Sequence, residues 1–447
     1  MRDQFDSLCS DWQQIIHTAS NSAKLLLLKQ FRDDLHCLPE LAEEFSADYS
    51  SVLRHRYPSL DVSDVYHHLS SDVQRILGDP PERSSDSTYL EEALKIDWKV
   101  RQYFRSITPL HNGWRSWRDS QIQRFHLEDK TLRESHIMYI PFAIELTQGC
   151  SGGCPFCGVS AAYLEPEKPS FCETRQYLYD FFLEMKSAIG DFSRCGVLYW
   201  ATDPLDNPEY LRFAALFEEA FRVYPVTTTA LGEKYPERFK ELLASNALKR
   251  PWGVRCSLRS KEAYKQIQKI TTDQERFAIS FIPQYLSSAD VKANAGRNYS
   301  PLSESNEPKA GGTIACMAGF LIRLPKPSLE LITPCLAEPN HQNGYRTLFK
   351  IKLNSLSELS TKAAHVCSQL PIQHLTLEDR LHVTIHPSQF ALYEHHDFPG
   401  ILNILAQESL SLKQLISALP ECNDRAGIMS YCLRLIQHGV IRSYAHT

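Results

Sequence analysis

The sequence predicts an α/β protein built around a partial (β/α)6 barrel, with a helical region before it and a small domain after it. Three observations lead there. Between residues 138 and 335, short apolar runs alternate with amphipathic segments, as in a parallel sheet with crossover helices. Residues 1–135 are polar and carry apolar residues three and four apart, the helical period. Beyond residue 380, strand-like alternation gives way to three helix-like segments. The middle span is shorter than the roughly 250 residues that eight complete units need, so about six units are expected. The domains read as 1–135, 136–345 and 346–447.

Taken in order, 25–35, 38–45, 62–77 and 90–104 are helix candidates, and 79–86 is a loop by its turn residues. The helical region reads as a cap that shields the barrel. Strands are expected at 140–146, 195–201, 226–231, 253–258 and 277–282. Helices are expected between them at 174–189, 208–223, 237–244 and 261–270. Residues 287–312 are rich in Ser, Asn, Gly and Pro and read as a loop, a candidate lid. Runs at 320–324 and 329–333 flank Pro325-Lys326-Pro327-Ser328 and predict a hairpin. A helix is expected at 356–370. Strands at 381–385 and 389–393 are expected to pair around His386-Pro387-Ser388. Helices then follow at 398–406, 412–419 and 427–438, with Ser411 as an N-cap and Gly439 as a stop.

The chain of 447 residues is 43% hydrophobic and 23% charged, ordinary for a globular protein. A net charge of −5 offers no field for a polyanion, so nucleic acid is not expected as a partner. No apolar run reaches membrane-spanning length, and the start of the chain has no signal-peptide pattern. The 13 cysteines are odd in number and scattered, which speaks for a reducing cytoplasmic setting rather than a disulfide framework.

The chemistry-bearing stretch is Cys150-Ser151-Gly152-Gly153-Cys154-Pro155-Phe156-Cys157. Three thiolates at C-x3-C-x2-C spacing follow the first expected strand. Cysteine thiolates are the usual ligands of iron–sulfur clusters, and three of them leave one iron of a cubane open to a small molecule. Glycines in the loop let the backbone turn tightly. A zinc site is the alternative, but it normally takes four ligands, and no second C-x2-C occurs. Parallel barrels place their chemistry at strand C-terminal ends, where this loop lies. Thr202 and Asp203 follow the second expected strand, where Asp203 can accept from an ammonium group or cap a turn. Arg255, Ser257 and Arg259 alternate along the fourth and share one face, although Arg259 reads equally well as a surface ion pair. Thr227, Thr228 and Thr229 fit ordinary strand formers. The remaining cysteines are isolated, and isolated thiols are mostly small buried hydrophobes. Cys316 and Cys335 differ from the others in bordering the two arms of the hairpin.

The loop from Gln148 to Ala161 resembles that of the radical S-adenosylmethionine (SAM) superfamily, whose core is a partial (β/α)6 barrel. Within it, that loop, Thr202-Asp203-Pro204-Leu205-Asp206-Asn207-Pro208 and Leu331-Ile332-Thr333-Pro334-Cys335 are similar to segments of the proteusin-type peptide amino-acid epimerases. The resemblance implies a [4Fe-4S] cluster on Cys150, Cys154 and Cys157. It implies SAM contacts at Thr202, Asp203, Arg255, Ser257 and Arg259, the Thr202 segment lacking the common Gly-Gly-Glu form. It implies an electron donor such as flavodoxin or ferredoxin, and a ribosomally made precursor peptide with leader and core as substrate. The implied reaction removes the Cα hydrogen of an L-residue and returns one from a cysteine thiol to give the D-residue. Cys335 is the first candidate donor and Cys316 the second. The C-terminal segment resembles a winged-helix-like leader-recognition domain, with a purely structural domain as the alternative. No auxiliary cluster is expected. The competing readings are a crosslink-forming or C–C bond-forming radical SAM peptide enzyme and a non-catalytic peptide-binding protein with a structural metal.

Overall fold

The computed structural model describes residues 2–69, 74, 81–82, 84–128, 138–166, 168–285, 293–300, 316–339, 341–370, 377–419 and 424–444. Most of 70–83, and 286–292 and 301–315 within the expected loop, lie outside the described residues. The helices are α1 (Arg2–Ser20), α2 (Ala23–Cys37), α3 (Pro39–Ala47), α4 (Tyr49–Arg56), α5 (Val62–Val65), α6 (Ser85–Ser106), α7 (Asn112–Glu128) and α8 (Phe171–Ile189). They continue with α9 (Tyr210–Phe221), α10 (Pro236–Ala244), α11 (Lys261–Ile270), α12 (Asp273–Ala278), α13 (Leu359–Gln369), α14 (Ile401–Gln407), α15 (Leu412–Ser417) and α16 (Arg425–Gln437). The strands are β1 (Ile140–Glu145), β2 (Thr227–Thr229), β3 (Val254–Leu258), β4 (Ile279–Pro283), β5 (Met317–Arg323), β6 (Ser328–Pro334), β7 (Tyr345–Lys352), β8 (Arg380–Val383), β9 (Leu410–Ser411) and β10 (Ile441–Tyr444). The chain is thus α/β. Among the described residues, no helix is long and apolar enough to cross a membrane.

The chain divides into two compact units that cut across the three consecutive regions expected: residues 1–106 with 203–292, and 107–202 with 293–447. In the first unit the N-terminal helices share a core of Leu25, Leu28, Phe31, Phe45, Val52 and Tyr57, with Phe277 added from after residue 203. Asp34 fastens them: it accepts hydrogen bonds from Tyr57 (2.8 Å), Tyr264 (2.7 Å) and Gln268 (2.9 Å). Strands β2, β3 and β4 form a parallel sheet in which Thr228 is in register with Arg255, and Arg255 with Ser280. The β3 residues Val254, Cys256 and Leu258 are buried, whereas Arg255 and Ser257 are half-buried. That period-2 split follows from the pleat.

In the second unit a four-stranded mixed sheet has the order β1-β5-β6-β7, with β1 and β5 parallel and the rest antiparallel. The expected hairpin is present as β5–β6, with Leu321 opposite Glu330. Strand β7 is missing from the sequence reading, although Tyr345, Thr347, Phe349 and Ile351 alternate with Arg346, Lys350 and Lys352. The strand expected at 195–201 is reduced to a single parallel bridge, Val197 to Ala143. The cause is local. Residues Gly190–Cys195 turn as a 3-10 helix, and Ala201 N–H donates to the Glu145 side chain at 3.0 Å instead of to a strand neighbour.

The C-terminal segment has its own core, including Leu381, Phe390, Leu405, Leu415, Ile428 and Leu435. Its antiparallel sheet has the order β10-β8-β9. The pairing expected between 381–385 and 389–393 does not form. Pro387 has no N–H for a ladder, the His386 ring accepts from Ser388 N–H, and Pro387–Leu392 closes as a 3-10 helix. Strand β8 pairs with β9 and β10 instead. The Ser411 cap is borne out as a reciprocal capping box with Gln414, and Gly439 ends α16 at φ +70°.

Candidate functional site

The cysteine loop leaves the C-terminal end of β1 and is closed on itself by backbone hydrogen bonds. Cys150 N–H donates to Ala162 C=O at 2.9 Å and Glu165 N–H to Gln148 C=O at 2.8 Å. Gly149 sits at φ +77°, and a Cβ there would meet the Tyr163 carbonyl oxygen at 2.1 Å, so the closure requires glycine. Two of the three thiols are aimed by the backbone: Gly152 N–H donates to Cys150 Sγ and Ala161 N–H to Cys157 Sγ, each at 3.3 Å. Among the described residues, no three His, Cys, Asp or Glu side chains converge on a single-ion site. A cubane takes each thiolate on a different iron, so its ligands need not converge on one point. With Gly152 and Ala161 N–H groups on two of its three sulfurs, the loop offers thiol donors of the kind a cubane takes.

A segment 140 residues further on straps this loop. Arg297 N–H donates to Cys157 C=O at 2.9 Å, and its guanidinium donates to Cys154 C=O at 3.0 Å and to Ala161 C=O. Gly296 lies against it at φ +61°, where a Cβ would meet the Cys157 carbonyl oxygen at 2.2 Å. Replacing Gly296 with alanine is expected to cost about 1–3 kcal/mol in backbone strain. It should also speed amide exchange over 154–161 and lower iron incorporation, read by exchange mass spectrometry and iron analysis.

At the same end of β1 lies a cavity of about 680 Å³, lined by Glu145, Thr147, Gln148, Arg323 and Lys350 among others. Arg323 bonds Glu145 at 2.6 Å and Glu330 at 3.1 Å, and Lys350 reaches Glu330 at 2.8 Å. Burial raises the pKa of Glu145 despite Arg323. Thr202 is buried and its hydroxyl bonds that of Thr147 at the start of the cysteine loop. Sequence reasoning missed Glu145, Arg323, Glu330 and Arg297. The first three had a legible signal, each being a charge inside an otherwise apolar strand.

Cys316 and Cys335 are brought to the other end of β1. Ile140 N–H donates to Cys316 C=O at 2.8 Å, which sets Cys316 at the start of β1. Because β6 runs antiparallel to β5, its end returns to that same start. Cys335 follows Thr333 on the sheet face covered by α7, where Thr333 bonds Gln121 (2.9 Å) and Arg124 (3.0 Å). It is fully buried, and burial pushes its thiol up to about 12. Cys316 is half-buried. Neither lines the cavity beside the cysteine loop.

In the first unit, Asp203 is buried and occupied by three internal donors: Leu205 N–H (2.9 Å), Thr229 Oγ1 (2.8 Å) and Ala230 N–H (2.7 Å). Burial still raises its pKa to about 6. The turn-capping alternative is thus realised. Arg259 pairs with Glu233, the surface-type ion pair weighed above. Ser257 is half-buried on the same face of β3 as Arg255. Arg255, nearer the start of β3, stands over Trp252 with 5.3 Å from its guanidinium carbon to the ring centroid.

No protein-family model matches this chain, and no solved structure matches it. It is 33% identical over 242 residues to "Uncharacterized protein y4wI" of Sinorhizobium fredii (strain NBRC 101917 / NGR234), covering 52% of this chain and 46% of that protein. The chain spans about half the length of the curated relative it matches.

Proposed function

We propose that the chain is a radical SAM enzyme that modifies a ribosomally made peptide, by epimerising L-residues to D-residues at Cα. The observation that carries the superfamily reading is the three-thiol loop at the end of β1, with backbone N–H groups already directed at two of its sulfurs. Cys150, Cys154 and Cys157 would hold a [4Fe-4S] cluster. SAM bound there supplies one-electron cleavage and hydrogen-atom abstraction. The chain's own residues orient the loop: Gly152 and Ala161 N–H steady the thiolates, Arg297 straps the turn, and Thr147 with Thr202 fixes its entry. The SAM contacts implied by the resemblance are proposed at Thr202, Asp203, Arg255, Ser257 and Arg259.

The fold proposed with this function is the partial (β/α)6 barrel. The parallel pairings β2-β3-β4 and β1-β5 within the units support it. A winged-helix-like leader-binding domain is proposed for the C-terminal segment, supported by its order helix, short strand, two helices, strand from α14 to β10. Strand β10 is an edge, the feature that strand-addition binding of a leader uses. A small electron-transfer protein such as flavodoxin or ferredoxin is the proposed reductant, and the cytoplasm the proposed compartment.

The donor assignment narrows to Cys316, because Cys335 has no exposed surface and lies behind the sheet. The placement of both thiols at the start of β1 favours a second reading: a radical SAM peptide enzyme that forms a crosslink or C–C bond and needs no donor thiol. Reaction with a co-expressed precursor peptide in deuterated water separates the two. Epimerisation leaves one solvent deuterium on each converted Cα. Crosslinking gives a product lighter by two hydrogens, and an unlabelled product of unchanged mass would sink both. Iron and sulfide content, with SAM cleavage on reduction, tests the superfamily assignment apart from either product.

A further inference from the structure

The second unit contains a further cavity, of about 830 Å³, apart from the one beside the end of β1. Part of its wall is the cysteine loop itself, at Ser160. Ser160 N–H donates to Cys157 C=O at 3.1 Å, and the next N–H, of Ala161, reaches Cys157 Sγ at 3.3 Å. Another part is the C-terminal sheet, at His382 on β8, Thr384 just after it and Arg442 on β10. The pleat explains why these side chains face the cavity. Leu381 and Ile441 enter the C-terminal core, so His382 and Arg442, which are in register with each other, lie on the other face of that sheet.

Strand β7 supplies a third part, at Tyr345 and Thr347, which share a face of the outer strand of its sheet. These parts are tied to one another. Gly296 N–H donates to Gln342 C=O at 2.6 Å while Arg297 N–H holds Cys157 C=O at 2.9 Å. The strap over the cysteine loop therefore also carries the connection from β6 to β7. That connection holds the C-terminal segment in its turn. The His341 ring donates to Thr384 C=O, and Glu338 Oε2 accepts from His386 N–H at 2.9 Å. A cavity framed by backbone fixed in this way is pre-organised, which reduces the cost of binding.

The chemistry of the wall is that of neutral polar groups. Ser160, Gln342, Asn343 and Thr347 bring hydroxyls and amides, which both donate and accept. Burial holds the His341 ring down at about 4 and lowers that of His382 from 6.5, so both are mainly neutral at pH 7. Among the described lining residues, only Arg442 is permanently charged. Groups of this kind match the N–H and C=O groups of an extended peptide, whereas a phosphorylated metabolite calls for several cations. The volume lies in the upper part of the range of about 300–1,000 Å³ common for ligand sites.

We propose that this cavity is a peptide-binding site, which holds in extended form the stretch of substrate that runs from the C-terminal segment to the cysteine loop. The inference rests on the reading of the substrate as a peptide and adds the place where that peptide crosses between the two. One cavity touches both, so a chain lying in it is held at one end and presented at the other. The strap thereby fixes the peptide's path as well as the thiol loop.

The experiment pans the full chain against a phage library of random linear peptides. An enriched peptide, labelled with fluorescein, is then titrated by anisotropy. Thr347→Trp and His382→Trp each put an indole into the cavity, from different strands. Saturable binding is expected, weakened at least tenfold in both variants, with circular dichroism like that of the parent. A benzophenone side chain placed at Thr347 should crosslink to the bound peptide on irradiation, and one placed at Trp98, exposed on α6, should not. If an indole variant fails to fold, the crosslinks decide. The proposal is overturned if no peptide is enriched, if affinity is undiminished in a folded variant, if Thr347 gives no crosslink, or if SAM displaces the peptide. None of these readouts needs a cluster or turnover. Failure of the enzyme reading shows instead in iron content and SAM cleavage, and leaves the binding result standing.

Discussion

Replacing Cys154 with alanine is expected to leave the chain folded but unable to retain iron and sulfide after anaerobic reconstitution. The side chain is small and buried at the centre of the loop, so the lost packing is modest. Two remaining thiolates would hold a cubane at only two of its irons. The expected result is loss of the charge-transfer absorbance, loss of reductive SAM cleavage to the uncatalysed level, and a circular dichroism spectrum like that of the parent. Cys150→Ala and Cys157→Ala should match it, whereas Cys172→Ala, at an exposed thiol on α8, should not. Full iron retention in Cys154→Ala would overturn the cluster assignment.

Replacing Glu128 with alanine is expected to be the most destabilising single change. Glu128 lies fully buried between Arg124 and Arg346, each at 2.8 Å, and accepts from Tyr393 at 2.9 Å. Burial by itself would raise its pKa, but Arg124 and Arg346 outweigh that and hold the carboxyl below its ordinary 4.5. Both arginines are also fully buried, so removing the carboxylate leaves Arg124 without its ion-pair partner and Arg346 with only Glu338 at 3.8 Å. Breaking such a pair costs roughly 3–5 kcal/mol, measurable by urea unfolding. The pH dependence follows in sign. A lowered folded-state pKa means the stabilisation is present above 4.5 and is lost as pH falls through the folded value. Glu128→Ala should therefore show a shallower acid limb of stability than the parent. A loss under 1 kcal/mol, or an unchanged acid limb, would contradict this account.

The same network explains where the C-terminal segment meets the rest of its unit. Arg346 on β7 also bonds Gln389 at 3.2 Å, and Tyr393 supplies the hydroxyl to Glu128. None of this was visible in the chain order, because the partners are up to 265 positions apart and each is an ordinary polar residue in its local window. The cysteine loop, by contrast, was legible because its ligands lie within eight residues and their spacing is itself the signal. Helices α8 to α11 were legible for a similar reason: their periodicity is local. Strands β7 and β10 were not, since a strand is completed by a neighbour that the sequence does not name. The strand expected at 195–201 failed in the same way, its backbone being taken by the Glu145 carboxylate.

The sequence by itself determined the α/β class, the order of most elements and the three-thiol loop, since these depend on neighbours within a few residues. It also placed Cys316 and Cys335 at the two borders of a hairpin. Only the tertiary structure decided what that placement means. An antiparallel return carries both borders to the start of β1, while the cysteine loop leaves from its end. One step in pleat parity then puts Cys335 behind the sheet, among buried charges from α7 and β7. Direction and parity are properties of paired strands, and pairing is settled by contacts between distant parts of the chain.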